Sequence, residues 1–126
     1  MIDITKQISY WRNSAIEDWQ VAAELIAQNR IRHGLFFAQL SIEKLLKALV
    51  CHQSRDIAPR IHNLNRLAEI AKLKLSRKQM DTLADMNAYN IEGRYPDTVG
   101  NPPSLDEARD IYNSAKEVYE WLLNQL

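Results

Sequence analysis

A single cysteine, Cys51, in a chain of 126 residues leaves no partner for an intrachain disulfide and no thiol set for a metal. Its place near the end of an apolar stretch points to a buried, unreactive thiol. Glycine and proline are scarce, at three and four residues, and the prolines fall in two regions, Pro59 and the stretch from Pro96 to Pro103. Most of the chain is therefore free to be helical. Neither sign of charge is in excess, with 16 Lys and Arg against 16 Asp and Glu. Any attraction to nucleic acid or a membrane has to be local. No apolar run approaches the ~20 residues of a membrane span. Met1-Ile2-Asp3 leads into polar positions rather than an apolar core with a cleavage site, so a cytoplasmic protein without a signal peptide is expected. There is no glycine-rich phosphate loop, no pair of histidines one helical turn apart and no serine in a nucleophile elbow. His33, His52 and His62 fall in different elements without metal-ligand spacing. These absences argue against a metalloenzyme and against a serine or cysteine hydrolase, and no cofactor is expected.

What is present is helical periodicity, organised around the stretch from Gly34 to Cys51. Leu35, Ile42 and Leu49 recur every seven residues with Leu46 beside them, while Ala38, Ser41, Leu45 and Ala48 make a second stripe of mostly small residues. Two apolar stripes require packing partners on more than one side, as in the central helix of a bundle. Its polar residues Gln39, Glu43, Lys44 and Lys47 are expected to form a narrow solvent-facing strip, with Glu43 one turn before Lys47 in the favourable ion-pair orientation.

Before it, Ile8, Trp11, Ala15, Trp19, Ala22 and Ile26 alternate spacings of three and four, predicting an amphipathic helix from about Thr5 to Gln28 with both tryptophans in the core. Asn29 to His33 reads as a solvated turn, and Gly34 as a point of close approach or a frayed first turn. Pro59 disfavours a helical Ala58, so the central helix stops before it. The segment that follows holds His52, Arg55, Arg60, His62 and Arg66 against one acid, Asp56, the strongest positive cluster in a neutral chain. Asn63 is a cap for a short helix through Leu64, Leu67, Ala68 and Ala71. Ser76 with Gln79 forms a capping box for a fourth helix to about Ile91, in which Asn87 and Asn90 fall where leucines belong. Either that face is partly exposed or its amides serve a site. Gly93 to Pro103 is a loop, and Ser104 with Glu107 caps a last helix lined by Ala108, Ile111, Ala115, Val118 and Leu122, flanked by Tyr112 and Tyr119. Four to five helices, short connections and no strand signal give an all-α antiparallel bundle in one domain over residues 1–126.

The run Phe37-Ala38-Gln39 with Glu43-Lys44 and Lys47-Ala48, then His62-Asn63-Leu64 with Leu67, then Tyr89 to Asp97, resembles the HEPN (higher eukaryotes and prokaryotes nucleotide-binding) domains, in their small stand-alone prokaryotic group. The pieces stand in the family's order and cover nearly the whole chain. The resemblance implies a homodimer that partners a minimal nucleotidyltransferase encoded nearby, in a toxin–antitoxin-like pair acting on RNA or nucleotides. Many HEPN domains are metal-independent ribonucleases with an arginine, four to six residues and a histidine. Arg55 and His62, with six residues between them, meet that spacing at its upper limit, whereas Arg60 is too close. A neutral histidine would take the proton of a ribose 2′-hydroxyl, and an arginine would stabilise the charge developing on phosphate. The catalytic candidates are thus His62 and Arg55. Substrate-binding candidates are Arg60, Arg94, Tyr89, Tyr95 and Lys44; Arg94 suits phosphate and the tyrosines could stack a base. The alternative role of His62 is to bond backbone amides at a helix start, and that of the tyrosines is to wedge a helix end against the core. The rival function is a non-catalytic module that binds a nucleotide or a partner protein through the same surface.

Overall fold

The computed structural model describes residues 2–92 and 104–126. Among them the order is α1 (Ile4–Ala27), α2 (Ile31–Ser54), α3 (Leu64–Ile70), α4 (Arg77–Met86), α5 (Ala88–Glu92) and α6 (Leu105–Leu123), with no strand. Arg94, Tyr95 and the loop from Gly93 to Pro103 lie outside the described residues. The all-α bundle expected from periodicity is what forms.

Helix starts follow local chemistry. Asp3, Asn63, Ser76 and Ser104 each turn a side-chain oxygen onto a free backbone N–H of the first turn, from Lys6, Arg66, Gln79 and Glu107 respectively. At Ser76 the Gln79 side chain returns the bond to the backbone N–H of residue 76, completing the capping box. Arg55 closes α2 in the left-handed conformation, at φ 58°.

α1 and α2 form an antiparallel pair that approaches closely where the side chains are small. Ser41 Oγ donates to the carbonyl of Ala15 at 2.6 Å. At the turn end, a Cβ on Gly34 would meet the Ile26 side chain at 2.7 Å, so glycine serves the close approach anticipated there. On the same buried face of α1, Trp19 is stacked against Tyr119 (centroids 4.4 Å, planes 10° apart) and Tyr112 (5.2 Å, 19°) of α6. Leu35, Ile42, Leu45, Leu46, Leu64, Leu67, Leu83, Met86 and Leu122 fill the centre with no exposure.

The fourth helix departs from its expected length. It breaks at Asn87, leaving α5 as a separate turn of helix. The Asn87 backbone itself stays in the helical region, while its amide reaches across to α3: Oδ1 accepts from the Leu64 N–H at 2.8 Å, and Nδ2 donates to Asn65 Oδ1 at 3.0 Å. Asn65 in turn donates to the Met80 carbonyl at 3.1 Å. Asn87 thus ties the end of α4 to the start of α3 and satisfies a helix-start N–H.

Two outcomes follow from this packing. Leu46→Ala removes a fully buried side chain beneath several helices and lowers the unfolding free energy by about 2–5 kcal/mol in a urea titration. Burial pushes the Tyr112 and Tyr119 hydroxyls and the Cys51 thiol above their ordinary values. Folding therefore favours their protonated forms, and the associated stability is complete below the unfolded values and lost as pH rises through the folded ones. Thermal melts should hold steady from neutral pH to about 8, begin to fall as the thiol's ordinary value is passed and fall further beyond about 10; a melting temperature that rises there would refute the assignment.

Candidate functional site

The strip of α2 expected to face solvent is buried. Gln39 is 0% exposed, Glu43 4% and Lys47 7%. They stand one turn apart along α2, covered by Trp11 of α1 on one side and by the segment leading into α3 on the other. An i,i+4 Glu–Lys pair on a surface and one in an interior have the same spacing, so periodicity could not separate them.

A charge removed from water has to be paired and hydrogen-bonded. Glu43 meets this with three donors. Gln39 Nε2 donates to Oε1 at 3.1 Å, while Lys47 Nζ at 3.2 Å and His62 Nδ1 at 3.1 Å converge on Oε2. The Lys47 ammonium also lies 5.2 Å from the centroid of the Trp11 ring, a cation–π contact within a dry setting. Among the described residues, two buried polar atoms beside this array, Gln39 Oε1 and Trp11 Nε1, have no hydrogen-bond partner. Lys44, the next cation on the helix, is drawn the other way, to Asp18 at 2.7 Å and Ser14 Oγ at 2.8 Å.

His62 sits at the boundary. One side of its imidazole is fixed on Glu43, yet 57% of the side chain remains exposed. It therefore joins a buried anion to solvent. The residues around it in sequence are exposed and basic: Arg60 two positions earlier, and Arg66, which pairs with Glu69 at 3.0 Å. Arg55 stands elsewhere. It is twelve positions beyond Glu43 on α2, about 18 Å along the axis, and it lines a shallow hollow with Ile2, Asp3, Ile4 and Thr5 at the start of α1. The chain from Asp56 to His62 runs back along α2, so Arg55 and His62 occupy opposite ends of that return. No hydrogen bond or ring contact among the described residues joins His62 to either Arg55 or Arg60.

Of the other candidates, Tyr89 is buried at 8% and packs in the core, the wedging role open to it. Asn90 is half-buried. Glu43 and Gln39 were missed as members of the site. The available signal was that Gln39, Glu43 and Lys47 form one line between two apolar stripes, on a helix already inferred to be packed on more than one side. Among the described residues no group of three His, Cys, Asp or Glu side chains could hold a metal, and no helix is long and apolar enough to cross a membrane.

Comparison with known proteins bears on family and fold. The family model of the HEPN domain matches residues 8–126. Two solved structures superpose over nearly the whole chain. One is TT1696 from Thermus thermophilus, with a TM-score of 0.77 at 21% identity, covering 95% of this chain and 98% of that one. The other is ST0689, described as an archaeal HEPN homologue, with a TM-score of 0.74 at 19% identity and coverage of 94% and 96%. At those identities the likeness is one of fold. No curated protein sequence matches the chain.

Proposed function

Because this chain belongs to the HEPN domain family, we propose that it acts on RNA as a metal-independent ribonuclease, in a toxin–antitoxin-like pair with a minimal nucleotidyltransferase. The observation that carries the reading is His62: an imidazole anchored through one ring nitrogen to a buried carboxylate, with more than half of its side chain open to solvent. A general base needs a fixed direction and access to its substrate, and the Glu43 contact with an exposed ring supports His62 in that role. It takes the proton from a ribose 2′-hydroxyl as the oxygen attacks the adjacent phosphorus. The bond from phosphorus to the 5′-oxygen breaks, that oxygen takes a proton from water to leave as a hydroxyl, and a 2′,3′-cyclic phosphate remains. Arginine stabilises the charge on the non-bridging oxygens. Within one chain Arg60 is the arginine nearest to His62 in sequence, while Arg55 would be supplied across a homodimer. Arg94 and Tyr95 are further candidates for phosphate and base, and Lys44 is withdrawn from that role by its bonds to Asp18 and Ser14.

The separation of Arg55 from His62 favours a second reading, a module that binds a nucleotide or its partner protein through the same basic face without turnover. The two are distinguished by incubating the dimer, its state checked by sedimentation, with mixed single-stranded RNA in EDTA beside a His62→Ala control. The ribonuclease reading expects cleavage by the native protein and a loss of at least about 100-fold in the variant. Absence of cleavage by an intact native dimer overturns it in favour of the binding module.

A further inference from the structure

We infer that Glu43 is a positioning residue that fixes His62 as the Nδ1–H tautomer and so presents the Nε2 lone pair to solvent. The inference rests on the proposed reading of His62 as a base and adds the group that orients it. Donors and acceptors around the carboxylate decide the tautomer. Glu43 Oε2 lies 3.1 Å from His62 Nδ1 and 3.2 Å from the Lys47 ammonium, and Oε1 accepts from Gln39 Nε2. An oxygen of an ionised carboxylate has only lone pairs to offer, so Nδ1 carries the hydrogen in any neutral imidazole that keeps this contact. Nε2 is then the acceptor. Lys47 already neutralises Glu43, so the effect on His62 is chiefly directional.

The carboxylate is itself enclosed and hydrogen-bonded through both oxygens. Gln39 and Glu43 are 0% and 4% exposed, and Lys47 is held over the Trp11 ring, so each of the groups fixing Glu43 is packed in the interior. That preorganisation separates this pair from an ordinary surface Glu–His contact, in which both side chains sample rotamers. His33 and His52 are exposed, and among the described residues no carboxylate contacts either ring. They serve as internal references.

Long-range ¹H–¹⁵N correlation spectra of the unmodified protein at about pH 8.5, two units above the ordinary histidine value, read the tautomer directly. The expected result is a protonated Nδ1 and a pyridine-like Nε2 for His62, with His33 and His52 averaging between forms. A protonated Nε2 on His62, or averaging like that of the other two, overturns the inference. In RNA cleavage, Glu43→Gln should lower kcat by about 10- to 100-fold with KM changed less than about twofold. A rise in KM with kcat unchanged also overturns it. If the native protein cleaves no RNA, the ribonuclease reading fails alone, since the spectrum still decides whether Glu43 orients the ring.

Discussion

Burying the carboxylate of Glu43 is the constraint on which the other features depend. A charge at 4% exposure is tolerated only if its neighbours are in register. Gln39 and Lys47 supply two donors from the turns above and below on the same helix, which requires α2 to be regular across this region. Trp11 caps the Lys47 ammonium, which sets the register of α1. His62 supplies the last donor, which draws the segment after α2 back along it and places Asn63 to cap α3. Core leucines would accept several small slides of α1 on α2; one buried acid with three fixed donors accepts far fewer.

Much of this was legible in the sequence. The long helices and the side-chain caps at Asn63, Ser76 and Ser104 are local matters of spacing and capping chemistry that the sequence carries directly, and the close approach at Gly34 is one of the two roles open to that residue. Two features were not. Gln39, Glu43 and Lys47 read as a solvated strip because helical periodicity reports which residues share a line, and not what covers that line. Asn87 read as a weak point in an apolar stripe because its partners, Leu64 and Asn65, are more than twenty positions away. In both cases the polar residue is satisfied over a long range, information that a window of neighbours does not hold.

Site and scaffold are consequently not separable on α2. The helix that forms the centre of the bundle also carries the acid that holds the exposed histidine, and the same turn of helix sends Lys44 outward to Asp18 to bind α1. Substitutions along this strip are expected to change stability and activity together, whereas Arg60, on an exposed bend, is free to vary in function alone. At about one-fifth identity to its structural neighbours, what the chain shares with them is the fold.

The central claim, that Glu43 ties the buried scaffold to the exposed imidazole, is tested most directly by a double-mutant cycle. Urea unfolding of the native protein, Glu43→Gln, His62→Ala and the double variant isolates the coupling between the two side chains. Because His62 is partly exposed, the predicted coupling is about 0.5–1.5 kcal/mol, favouring the pair. Strict additivity, within about 0.3 kcal/mol, would mean that histidine and acid are neighbours without interaction, and would contradict the claim.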